Sequence, residues 1–169
     1  MNTSKVLIDG EEIEIAVDAV KFEQVYEMLA LTKQVSLVVS IDLPPGLSKS
    51  ISSGKSSPQQ DSSIADLSEE EILSRLGGAY GAEVNKELEI ISHAIWVTPN
   101  NGPEESSVSL VHEMIHASQN EALGVKRYAE LDKEYMRTVG YDNNPFEVEA
   151  ESMSRFIVAQ VGEMLVRVA

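Results

Sequence analysis

PEESSVSLVHEMIHASQNEAL, residues 103–123, is the stretch on which the reading of the fold turns. Pro103 suits a first helical position, where its missing N–H is not needed, and Glu104 and Glu105 suit the positive end of a helix dipole. Gly124 follows as a stop, so the spacing predicts one helix from Pro103 to Leu123. Val108, Val111 and Ile115 give it an apolar side able to pack on a sheet. Within it, His112-Glu113-Met114-Ile115-His116 sets two imidazoles four residues apart, stacked on one helical face. His112 and His116 can then reach one metal ion while Glu113 projects beside it toward a bound water.

The composition narrows what else could complete such a site. The chain has 169 residues, one domain's worth, and 13 Lys and Arg against 28 Asp and Glu leave a net charge of −15. That balance repels nucleic-acid backbones and anionic lipid surfaces, so neither is expected as a partner. There is no cysteine, and His93 is the one histidine outside the motif. Disulfides, thiolate metal sites and cysteine nucleophiles are excluded, and a carboxylate is favoured as third ligand. The first twenty residues carry five acids and no apolar signal core, and no later run is long enough to span a bilayer. The expected location is cytoplasmic.

Outward from the motif helix the chain reads as α+β, a small mixed sheet packed on helices. Val6, Ile8, Ile13, Ile15 and Val17 alternate around Asp9-Gly10, a hairpin signal. Phe22, Val25, Tyr26, Leu29 and Ala30 have helical spacing over residues 18–33 behind Asp18 as a cap, and 35–43 is β-branched enough for a strand. Residues 1–43 therefore form the first part of the sheet. Residues 44–67 are rich in Ser, Pro and Gly and read as a flexible insertion. Residues 68–169 complete the same domain. They open with a short helix capped by Ser68 and Glu71 and ending near Gly77-Gly78, followed by a strand over 87–98. Two helices after the motif helix, over about 125–138 and 145–166, close the chain. His93 is read as a half-exposed strand residue, and Trp96 as either core or substrate-facing.

The last helix brings three acids, Glu147, Glu149 and Glu151. Met153, Phe156 and Ile157 lie six, nine and ten residues beyond Glu147 and place it at the rim of a packed face. Ser154 and Arg155 turn Glu149 away from one. Glu147 is thus the expected third ligand, with Glu149 and Glu151 as the fallbacks. The same Glu147 could instead close a capping box with Asn144.

His112-Glu113-x-x-His116 followed by Glu147-x-x-Ala150-Glu151 resembles the gluzincin branch of the HExxH metallopeptidases. The likeness is greatest to minimal zincin-like domains of bacteria and phages, including the ImmA/IrrE-like group. It spans about residues 87–160. Met114 stands where that group usually has Gly, and Met153-Ser154 where it has Phe-Ala. The resemblance implies a zincin-like fold with an active-site helix and a second, ligand-bearing C-terminal helix. It implies Zn2+ held by His112, His116 and Glu147, with Glu113 as general base. Glu151 would be the carboxylate that orients a ligand histidine. For an oxyanion donor, Tyr141 is preferred to Tyr128, Tyr135 and His93. The strand before the motif helix is expected to be the edge on which an extended substrate lies. The function implied is a zinc metallopeptidase acting on a protein or peptide. The alternatives are a non-catalytic zincin-fold binding or structural module that keeps its metal, and an acidic interaction protein in which the motif is coincidental.

Overall fold

In the computed structural model, residues 3–8, 10–41 and 77–168 are described. The predicted motif helix forms as Gly102–Leu123 and runs through the middle of the molecule. Val108, Leu110, Val111, Met114, Ile115 and Ala117 are all buried, and with Ile95, Val97, Val25, Leu29, Ile157, Val158 and Leu165 they make one core. Full burial of a side chain of this size contributes about 1.5–3 kcal/mol each, so the helix is held chiefly by packing.

In chain order the described elements are β1 (Thr3–Ile8), β2 (Glu11–Val17), α1 (Ala19–Met28), β3 (Gln34–Val39), β4 (Gly78–Val84) and β5 (Ile90–Val97). The motif helix is α2, followed by α3 (Val125–Thr138), a 3-10 turn (Tyr141–Asn143), α4 (Pro145–Val161) and β6 (Leu165–Arg167). The class is α+β, as expected, but the strands make two sheets. One is antiparallel, in the order β1-β2-β6; the other is mixed, in the order β3-β5-β4, with β3 parallel and β4 antiparallel to β5. No helix among the described residues is long and apolar enough to cross a membrane.

The departures from the sequence reading have local causes. The hairpin forms in the predicted register, with Ile8 opposite Glu11, although Asp9 itself lies outside the described residues. Asp18 caps α1 through the N–H groups of Val20 and Lys21. That helix stops at Met28, short of Lys33, because Ala30 takes φ +53° and the N–H groups of Thr32 and Lys33 turn to Glu121 instead. The last helix ends at Val161, not near Val166, since Gly162 at φ +89° breaks the helical path and frees β6 to pair with β2. The insertion over 44–67 and the helix opening at Ser68 fall outside the described residues.

Two strand readings are corrected. β5 is flanked on both sides, so it is a central strand and cannot receive a further one. One edge of that sheet is β4, over a stretch to which the sequence pattern assigns no element beyond the helix stop at Gly77-Gly78. His93 is not half-exposed: it is 0% accessible and sits between Tyr80 and Glu121. Trp96 is core.

His93 belongs to a directed chain of hydrogen bonds. The Asn120 Nδ2 donates to the Tyr80 hydroxyl (2.9 Å), which donates to His93 Nδ1 (3.0 Å), and His93 Nε2 donates to Glu121 (2.8 Å). Glu121 also accepts from Thr32 N and Oγ1 and from Lys33 N, joining α2 to the turn between α1 and β3. Burial works against its charge, but the hydrogen bonds from His93, Lys33 and Thr32 outweigh that and hold its carboxyl below the usual range. Because the folded pKa is depressed, the stabilisation is complete above the unfolded value of about 4.3 and is lost as pH falls through the folded value. Glu121→Gln is expected to cost about 1 kcal/mol at neutral pH, because the amide keeps one acceptor but loses the charge and sets an NH2 against the donors of buried His93 and exposed Thr32 and Lys33. In urea unfolding, the gap from wild type should narrow as pH drops from about 5 towards about 3.

Candidate metal centre

α2 delivers His112 and His116 to one face, and the first turn of α4 faces them. Asn144 starts α4: fully buried, it accepts from Phe146 N through Oδ1 (3.0 Å) and donates from Nδ2 to Asp132 (2.8 Å). Its own N–H goes to the Tyr141 carbonyl at 3.0 Å. The capping box considered for Glu147 therefore does not form, because the N–H it would bond already has a partner. Glu147 is released toward the histidines.

There, three side chains converge. His112 Nε2 lies 3.0 Å from His116 Nε2 and 3.2 Å from Glu147 Oε2, and His116 Nε2 lies 3.4 Å from Glu147 Oε1. A four-coordinate ion with bonds of about 2.0–2.1 Å keeps neighbouring ligand atoms about 3.3 Å apart, so the triangle has the size such an ion needs. The three side chains are 8–17% exposed, buried but reachable. Two imidazole nitrogens and a carboxylate this close are opposed to one another unless positive charge sits among them. Burial disfavours a charged His116, yet Glu147 and Glu113 outweigh it and raise its pKa, the same demand for a cation. The donor set fits a metal ion of borderline softness.

The other acids of α4 point elsewhere. Glu149 accepts from Gln119 Nε2 (2.8 Å), and Glu151 takes Arg155 Nε (2.7 Å) while its Oε2 stands 3.7 Å from His112 Nδ1. Arg155 in turn reaches Glu105 of α2 at 3.1 Å. The fallback ligands thus lie outside the triangle, and Glu151 lies on the side of His112 away from it.

Glu113 and Glu147 have opposite electrostatic surroundings. Burial pushes the Glu113 carboxyl up to about 7, against the pull of His116 and His112 and with the help of the Glu147 charge. Burial also opposes the charge on Glu147, but hydrogen bonds from His112, His116 and the Tyr141 hydroxyl outweigh it and hold its pKa far below the carboxylate range. Glu113 is packed under β4: a Cβ on Gly78 would stand 3.0 Å from Glu113 Cγ and 3.0 Å from the Trp96 carbonyl oxygen. Any larger residue would need Glu113 or the strand backbone to give way by a few tenths of an ångström.

Of the three tyrosines named from the sequence, Tyr141 meets Glu147 through its hydroxyl, although 56% of the residue is exposed. The Tyr128 hydroxyl lies 3.2 Å from His116 Nδ1 and its ring stacks on Phe146 at 4.7 Å, while Tyr135 packs edge-on against Phe146. His93 lies in its own network with Tyr80 and Glu121 and takes no part. Gln119, whose Oε1 is 2.9 Å from His116 Nδ1, was missed. Its signal was available: it stands three residues after His116, on the same helical face.

Compared with family models, with curated proteins and with solved structures, the chain matches none.

Untagged protein is expected to bring about one metal ion per chain through purification, measured by mass spectrometry, and Glu147→Ala should bind it ~100-fold or more weakly. Equal metal content in the two proteins would remove Glu147 from the ligand set.

Proposed function

We propose that this chain is a zinc-dependent metallopeptidase with a zincin-like, gluzincin-type site, acting on a protein or peptide. The observation that carries the proposal is the convergence of His112, His116 and Glu147 on one point, with Glu113 buried beside them. Two imidazoles and a carboxylate favour zinc over magnesium or calcium. Bound there, Zn2+ would lower the pKa of a water toward neutrality and polarise a carbonyl.

The remaining work falls to the chain's own side chains. Glu113, whose carboxyl burial pushes up to about 7 in the metal-free chain, can accept a proton from a water and return it to a leaving amine. Glu147, held ionised, keeps its place as an anionic ligand throughout. The Tyr141 hydroxyl, at the rim of the site, would turn from Glu147 to donate to negative charge developing on a carbonyl oxygen. Glu151 stands 3.7 Å from His112 Nδ1 on the far side, beyond hydrogen-bond length but placed to orient that ring if it closes in, and Arg155 holds Glu151.

A peptide also needs a surface along which to lie. Among the described residues β4 pairs with β5 alone, leaving its outer edge for an added strand. Gly78, on that strand, touches the Glu113 position. A peptide added there gains main-chain hydrogen bonds without its side chains being read. The edge proposed from the sequence was β5; β4 takes over that role.

Glu113→Gln discriminates catalysis from a metal kept for structure. Cleavage of a peptide library, read by mass spectrometry, should fall by about 10^2–10^4-fold. Zinc content and thermal stability should be unchanged, since neutralising a buried carboxyl removes no charge that the fold requires. Cleavage that persists in the variant, or disappears together with the metal, would overturn the role of Glu113.

A further inference from the structure

Gln119 is 9% exposed and makes three polar contacts: Oε1 to His116 Nδ1 at 2.9 Å, Nε2 to the Phe146 carbonyl at 3.1 Å, and Nε2 to Glu149 Oε2 at 2.8 Å. Chemistry fixes which way the amide points. A backbone carbonyl and a carboxylate can only accept, so the NH2 end must face them and the carbonyl end must face His116. That carbonyl also can only accept. His116 Nδ1 must therefore carry a proton, and the Tyr128 hydroxyl, 3.2 Å away, can accept from the same N–H. The neutral ring is left with its lone pair on Nε2, the nitrogen that faces His112 and Glu147.

The other end of the amide acts on α4. Phe146 immediately precedes Glu147, and Glu149 follows it by two residues, so both partners of the Gln119 NH2 flank the carboxylate ligand. One side chain thus spans the two helices that bear the site. We propose that Gln119 is a positioning residue. It locks His116 in the Nδ1–H tautomer that leaves Nε2 free to bind metal, and it clamps the first turn of α4 so that Glu147 stays in reach. The proposal rests on the metal reading above.

Two variants separate the parts. Gln119→Leu removes both the acceptor and the clamp; Gln119→Glu keeps an acceptor toward His116 but sets a carboxylate against Glu149 and the Phe146 carbonyl. The first readout needs no metal. In two-bond 1H–15N correlation spectra of the metal-free protein, at a pH raised until the 15N shifts show His116 neutral because its pKa lies above the ordinary imidazole value, His116 should be the Nδ1–H tautomer in wild type and in Gln119→Glu. In Gln119→Leu it should lose that preference. The second readout is zinc affinity by competition with a chromophoric chelator, expected to fall about 10–100-fold in Gln119→Leu. His116 found protonated on Nε2 in wild type would overturn the proposal. So would a Gln119→Leu protein that keeps both the tautomer and the affinity. A wild-type chain that binds no zinc refutes the metal reading separately, and the tautomer spectra still decide whether Gln119 governs His116.

Discussion

Polar side chains on a helix buried over most of its surface are costly where they lack partners, and this constraint on α2 organises the molecule, with the Asn120 Oδ1 as an unpartnered exception. Ser106, Ser107, Glu113, His116, Gln119 and Asn120 are all buried on it. Ser106 donates to the Thr98 carbonyl after β5. Ser107 accepts from Met164 N and Leu165 N, anchoring the start of β6 and with it the antiparallel sheet. Ser118 reaches back to the Leu29 carbonyl, Asn120 to Tyr80 on β4, and Gln119 to α4. Each partner lies on a different element. Satisfying this one helix places both sheets, the turn after α1 and the ligand-bearing helix. An unpaired buried group costs about 1–3 kcal/mol, comparable with burying a whole side chain, so alternative arrangements of these elements carry a heavy penalty.

What could be read from the sequence is what depends on near neighbours. The pairing of His112 with His116 is a four-residue rule on one helix. The Asp18 cap, the hairpin register and the stop at Gly124 are equally local. The packed face expected for α4 is corrected: Met153 and Phe156 are exposed and the helix packs through Ala150, Ser154, Ile157 and Val158, so the spacing of Met153, Phe156 and Ile157 does not account for the place of Glu147. What could not be read depends on pairing at a distance. GAYGAEV over Gly78–Val84 has neither alternation nor β-branched residues until its end, and it becomes a strand because β5 lies beside it. β6 is three residues long, below the length at which a pattern exists. Alternation assigns His93 to a face but not to a depth; its burial comes from Tyr80 and Glu121, 13 and 28 residues away. The rival roles of Glu147 were undecidable locally, because Asn144 followed by Glu147 satisfies a capping box as well as a ligand pattern. The choice was made by the Tyr141 carbonyl, which takes the Asn144 N–H.

The contrast between Glu113 and Glu147 ties the electrostatics of the site to this packing. The two carboxylates belong to the same cluster and feel the same two histidines, yet one is pushed up to about 7 and the other is held far below its ordinary value. Charge alone cannot separate them, since both gain from His112 and His116. The difference is hydrogen bonding. Glu147 has His112, His116 and the Tyr141 hydroxyl gathered around its carboxylate, whereas Glu113 lies under the bare backbone at Gly78, where desolvation goes uncompensated. On the proposed reading, a pair of acids pushed apart in this way would divide the labour of hydrolysis, one staying charged and one exchanging protons near neutral pH. The glycine that lets β4 press on Glu113 is therefore as much a part of that chemistry as the residues that carry charge. A side chain there would have to displace either the strand or the carboxylate, and moving the strand would admit water and return Glu113 toward the ordinary range of a solvated acid.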